Sequence, residues 1–170
     1  MRYVGHAALI CMLVGHVLSD VPTLDVPTVA NAQGKCDRMC LEGIAEQYLD
    51  ALVAKEPKSL PAASSVKYTE NGQRLMLGDG FWNSVTGRGT YKLHIADQTA
   101  GQVVTFSTMR EAGTPMIIAV RLKIDGSRRL TEIETLVAHS EGGAKNLEAI
   151  GKPRAAFLRE TPAAGAAAAR

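Results

Sequence analysis

The sequence predicts an α+β domain, with one amphipathic helix covering a face of an antiparallel sheet. Three observations predict it. Strand-like runs follow one another at Tyr91–Ile95, Val103–Met109, Met116–Ile124 and Leu130–Val137. The turns between them, Thr99-Ala-Gly101, Ala112-Gly-Thr-Pro115 and Asp125-Gly-Ser127, are too short to hold a crossover helix, so neighbouring strands pair antiparallel. One stretch upstream has helical periodicity, and its apolar stripe is the natural cover for that sheet.

The chain starts with a leader-like segment over residues 1–32. Arg2 gives a positive start, Ala7 to Leu18 is mostly apolar, and Ala30-Asn31-Ala32 is a small-x-small cleavage signal. The apolar run is too short to span a bilayer, which needs about 20 residues. The segment therefore implies export, to a periplasm or the medium, with no membrane association after removal; an uncleaved N-terminus is the alternative. Export would remove Cys11 and leave Cys36 and Cys40, an even pair that suggests a disulfide. In a helix this four-residue spacing puts the two Cα atoms about 6 Å apart, within bridging range. No His or second Cys pair follows at ligand spacing, so the pair is a poor metal signal.

The domain proper is read over residues 33–140. Asp37 is a plausible N-cap, and Leu41, Ile44, Ala45, Tyr48, Leu49 and Leu52 recur at helical spacing up to about Lys55. Pro57 and Pro61 end the helix. Ser64 to Glu70 reads as a short strand, Asn71-Gly72 as a hairpin turn and Arg74 to Leu77 as its partner. Phe81 to Val85 reads as one or two helical turns carrying the only Trp, and Gly87 and Gly89 loosen the exit into the meander. Residues 141–170 read as an extension, with a helical turn at Asn146–Ile150 and an Ala-rich end expected to be disordered.

At 170 residues the chain has room for one core, and its 46% apolar content is ordinary for a globular protein. The net charge of +2 and the lack of a basic cluster interleaved with aromatics exclude nucleic acid as a partner. The sequence has no Gly-x-Ser-x-Gly elbow, no Gly-x-Gly-x-x-Gly and no phosphate loop.

Helix, hairpin, helical turn and long meander, in that order, resemble the nuclear transport factor 2-like superfamily, including its SnoaL-like members. The resemblance runs from about Cys36 to His139. It is carried by Cys36-Asp-Arg-Met-Cys40, Tyr68-Thr-Glu-Asn-Gly72, Leu77-Gly-Asp-Gly-Phe-Trp82, Arg121-Leu-Lys-Ile124 and Thr131-Glu-Ile-Glu134, which look like a mostly exported branch. It implies a cone-shaped, strongly bent antiparallel sheet wrapped around the N-terminal helix, with an apolar pocket at the open end. It also implies cofactor-free acid–base chemistry on an apolar or aromatic small molecule by a lyase, isomerase or hydrolase, in some members on lignin-derived aryl compounds. Other members are binding or assembly modules, and an open sheet face there makes dimers or trimers. The Tyr and paired-Asp pattern of the ketosteroid isomerases has no counterpart here.

Candidate site residues come from the strands. His94 can titrate near neutral pH and shuttle a proton; an exposed or packed His is the competing reading. Glu70 could act as a base or stabilise the following turn. Tyr68 and Tyr91 could polarise a carbonyl, or pack in the core. Trp82 forms a pocket wall or plugs the cone. Arg121 lies in an apolar run and needs a carboxylate, Glu134 or Glu132, with which it forms a structural pair or anchors a polar substituent. The sequence thus predicts catalytic roles for His94, Glu70 and Tyr68, and substrate binding by Tyr91, Trp82, Arg121 and Glu134. The alternative function is a non-catalytic exported binding or oligomeric assembly module.

Overall fold

The computed structural model describes residues 36–159. The leader expected over residues 1–32 and the Ala-rich end from Pro162 onward lie outside the described residues.

The first helix, α1 (Arg38–Ala54), starts where the sequence places it. Asp37 caps it by accepting the Cys40 N–H at 2.9 Å, and Cys36 and Cys40 are joined as a disulfide across that first turn. Lys55 takes a left-handed conformation (φ 58°) and Pro57 prevents continuation. Leu41, Ile44, Ala45, Tyr48, Leu49 and Leu52 form its buried face.

A 3₁₀ turn (Pro57–Ser59) leads into β1 (Ala62–Glu70) and β2 (Gln73–Leu75), joined through Asn71-Gly72. A four-residue helix, α2 (Phe81–Ser84), then precedes the meander of β3 (Val85–Asp97), β4 (Gln102–Glu111), β5 (Thr114–Ile124) and β6 (Leu130–Ala138). Among the described residues the sheet has six strands, in the order β2-β1-β6-β5-β4-β3. The meander pairs antiparallel throughout, as expected. One ladder departs from that pattern: β1 pairs with β6 in parallel. The chain crosses by way of α2 to the far edge and walks back strand by strand, so β6 arrives beside β1 running the same way. Short-turn arguments govern only consecutive strands and are silent about this pairing.

The strand β3 starts earlier than the sequence suggests. Gly87 and Gly89 lie inside it, at two register shifts, between Val85 and Gly87 and between Arg88 and Lys92. Such bulges bend a strand and sharpen its twist, which is how a long sheet curls. At Gly89 a Cβ would run into the Thr108 side chain and the Glu148 carboxylate, so only glycine fits there.

Alternation gives the sheet two faces. The inner face carries Tyr68, Ile133, Leu122, Val120 and Val103, all buried on the α1 side. The outer face carries Thr69, Glu134, Arg121 and Val104 in register. A third helix, α3 (Glu141–Ile150), packs on one end of that outer face against Ile117, with Glu148 on Arg110 at 2.7 and 2.8 Å. It is longer than the single turn the sequence suggests. Gly142 and Gly143 weaken its local signal by about 1 kcal/mol each, and packing of the buried Ala144 supplies what propensity does not.

Candidate functional site

One transverse row of the inner face crosses five strands: Glu70 on β1, Thr135 on β6, Val120 on β5, Thr105 on β4 and His94 on β3. The helix α1 lies across it. Tyr48 reaches Thr135 near one end and Glu46 reaches His94 at the other. Four strand spacings separate Glu70 from His94, and each belongs to its own hydrogen-bond network, Glu70 with Tyr68 and Phe81, His94 with Glu46 and Thr105.

At the β1 end, the Tyr68 hydroxyl donates to Glu70 Oε2 at 2.7 Å, and the Phe81 N–H donates to the same oxygen at 2.9 Å. Gly80 has positive φ, and a Cβ there would strike both Glu70 oxygens, so Gly80 lets the start of α2 close over the carboxylate. The Tyr48 hydroxyl lies 3.2 Å from Thr135 Oγ1, and Thr135 also neighbours Tyr68. The Trp82 ring meets Tyr48 edge-on with centroids 5.5 Å apart. Its indole N–H is buried beside the Tyr48 hydroxyl and has no other partner among the described residues. Burial first, then the neighbouring Tyr48 and Glu70, push the Tyr68 hydroxyl's pKa far up; burial does the same for Tyr48. Both hydroxyls stay protonated, and that of Tyr68 donates to Glu70. Of the residues singled out in sequence, this cluster brings together Tyr68, Glu70 and Trp82. Tyr48 and Thr135 complete it and were not foreseen as site residues. Tyr48 read only as part of the helix's apolar stripe, and nothing in the sequence reports that Thr135 faces it.

His94 is held from both sides. Its Nε2 meets Glu46 Oε1 at 2.6 Å and its Nδ1 meets Thr105 Oγ1 at 2.8 Å. The tautomer protonated at Nε2 satisfies both contacts, donating to Glu46 and accepting from Thr105. Glu46 also binds Lys92 and Arg88, and Arg88 reaches on to Asp50. Burial opposes ionisation of Glu46, but Lys92, Arg88 and His94 together hold its pKa down to about 2. Thr105 is buried, so its hydroxyl serves the His94 ring rather than a bound molecule. Both ring nitrogens thus have protein partners.

The remaining predicted residues lie on the other face. Tyr91 is buried next to Thr108, whose hydroxyl accepts the Tyr91 N–H at 3.2 Å. Arg121 sits in a carboxylate cradle: Nε on Glu134 at 3.0 Å, Nη2 on Glu132 at 2.9 Å and Nη1 on the Gln102 amide oxygen at 3.0 Å. Arg121, then Lys123, hold Glu132 down to about pKa 2. Arg121 and Glu134 thus form the cross-strand pair that the apolar run demanded, outside the interior of the cone. Nearby Ile95, Phe106 and Leu136 leave apolar surface exposed. Among the described residues no group of His, Cys, Asp and Glu is arranged to hold a metal, and no helix is long and apolar enough to cross a membrane.

No family model and no curated protein matches the sequence. Solved structures with similar architecture include a de novo designed protein with a curved β-sheet (13% identity, 67% of this chain, 98% of that one, TM-score 0.48). An LEH-like epoxide hydrolase from M. tuberculosis shares 14% identity over 63% of this chain and 90% of its own, with a TM-score of 0.42. A protein assigned as a ketosteroid isomerase from Kribbella flavida shares 14% identity over 72% and 90%, with a TM-score of 0.44. Likenesses this distant carry no argument about chemistry. The strand order, register and helix placement themselves give the fold class that the sequence predicts, an α+β fold whose bulged sheet bends around α1.

Proposed function

We propose that the chain is a cofactor-independent enzyme that moves a proton on an apolar or aromatic small molecule. Glu70 is the base, and Tyr68 and Tyr48 hold the oxyanion that forms. The observation that carries this reading is the Tyr68–Glu70 hydrogen bond beside a second buried hydroxyl, that of Tyr48, with the Trp82 indole N–H next to it. The Tyr68 hydroxyl on the carboxylate and the Tyr48 hydroxyl beyond it stabilise negative charge on a substrate oxygen while the carboxylate takes a proton from the adjacent carbon. Return of the proton to another carbon gives isomerisation; loss of a leaving group gives lysis. Trp82 fills the space above the network, so a substrate enters by displacing α2, a four-residue helix preceded by Gly78 and Gly80 at positive φ.

Aryl ketones and lignin-type phenolic dimers are the first substrates to screen. Wild type should turn over a member of that panel, and Glu70→Gln should reduce the rate at least ~100-fold. Turnover that survives Glu70→Gln and Tyr68→Phe would remove this assignment. The setting is an oxidising one, periplasmic or extracellular, as the leader-like segment and the Cys36–Cys40 pair suggest; mass spectrometry of secreted material tests cleavage after Ala32.

A second reading, a binding or assembly module, draws on the outer face, where Phe106 is 40% exposed and Leu136 52%. It expects a dimer or trimer in sedimentation velocity and ligand binding with no turnover.

A further inference from the structure

At the free edge of the sheet, on the side of β3 away from β4, a cavity of about 260 Å³ opens beside His94. Three separate chain segments build it. The first turn of α1 contributes Arg38, the end of β3 and its turn contribute His94, Ile95 and Gln98, and the C-terminal 3₁₀ turn (Ala155–Leu158) and its flank contribute Phe157 and Arg159. Among the described residues, none that lines it is acidic. The nearby carboxylates are already engaged: Glu42 on Arg38 at 2.8 Å, Glu46 on His94 at 2.6 Å, and Asp97 by accepting the Thr99 and Ala100 N–H groups. Arg159 has no ion-pair partner among the described residues. The opposite character lies in the same cavity: Phe157 is 62% exposed and Ile95 51%, two large apolar side chains left facing water.

We infer that this cavity binds a small organic anion, a monocarboxylate carrying one aromatic ring, separately from the Tyr68–Glu70 cluster. A guanidinium recognises a carboxylate with paired N–H donors, and the Gln98 amide adds a neutral donor beside it. Phe157 and Ile95 give the ring an apolar wall, and arene stacking on Phe157 supplies what a bare inorganic anion cannot exploit. The combination selects for charge and ring together, because each half alone forfeits one set of contacts.

The test uses the full chain and phenylacetate as probe, read by isothermal titration, with phenylacetamide and inorganic phosphate as comparators. Phenylacetate is expected to bind saturably. Phenylacetamide, which keeps the ring and loses the charge, should bind about tenfold more weakly, and phosphate should not displace phenylacetate at equal concentration. Arg159→Ala and Phe157→Ala should each weaken binding about tenfold; both side chains are exposed, so folding is not at stake. Lys152→Ala and Tyr68→Phe should leave it unchanged. No saturable binding, unchanged affinity in Arg159→Ala and Phe157→Ala, or displacement by phosphate would each overturn the inference. Loss of turnover in Tyr68→Phe with phenylacetate binding intact would keep the two sites distinct.

Discussion

The hydroxyl of Tyr68 donates at 2.7 Å to the carboxylate of Glu70, two residues along the same strand, while that carboxylate also receives the first backbone N–H of α2. One side chain therefore anchors a helix and faces the proposed oxyanion donors. The two roles separate by mutation. Glu70→Gln keeps an acceptor for the Phe81 N–H and should cost about 1 kcal/mol of stability by urea denaturation, while turnover falls at least ~100-fold. Glu70→Ala leaves that N–H and the Tyr68 hydroxyl without their acceptor and should cost about 2 kcal/mol.

Tyr48 and Trp82 test the cover over this network. Tyr48→Phe removes the hydroxyl from Thr135 and should cost about 1 kcal/mol. Trp82→Ala should cost about 3–5 kcal/mol, because it empties a fully buried site. Trp82 is the only Trp, so its fluorescence reports directly on α2. A substrate that enters by displacing α2 should shift the emission to the red on binding; an unchanged spectrum at saturation would contradict that route.

The Glu46 cluster sets an acid limit on the fold. Its folded pKa of about 2 lies below the ordinary 4.5. The ionised carboxylate therefore stabilises the fold fully above about pH 4.5, and that contribution is lost as the pH falls through 2. Glu46 is about one-third exposed, so screening limits the effect. Glu46→Gln should lower stability at pH 7 by about 1 kcal/mol and should flatten the decline between pH 4.5 and pH 2. Thermal melts across that range check both.

The disulfide at the start of α1 closes a very small loop. Loop-closure entropy for such a loop is about 2 kcal/mol. Replacing Cys36 and Cys40 together by Ser should lower stability by no more than that, and Asp37 still caps the helix. Hydrogen exchange should show the loss confined to the first turns of α1.

Much of the architecture was legible because its signals are local. Asp37, the apolar stripe of α1, the Asn71-Gly72 turn and the short meander turns each fix their element without reference to the rest of the chain. The parallel β1–β6 ladder and the full length of α3 were not legible, because both depend on which distant surface is available to pack against. The site divides in the same way. Strand alternation put Tyr68 and Glu70 on one face and Arg121 opposite Glu134, but it could not say which face turns inward. Tyr48, Thr135 and Glu46 gain meaning only when α1 crosses the sheet, since each looks ordinary in its own segment. His94 looked like a free proton carrier because nothing within reach in sequence announces Glu46, 48 residues away.

The most direct measurement is proton exchange in D₂O, followed by ¹H NMR, with wild type and Glu70→Gln on a panel of aryl ketones and phenolic compounds. Exchange reads proton abstraction whatever the final product. The account predicts enzyme-dependent loss of one C–H signal in at least one compound, slowed at least ~100-fold by Glu70→Gln and little changed by Arg121→Ala. Exchange that proceeds equally in Glu70→Gln, or no exchange in any compound that binds, would contradict it.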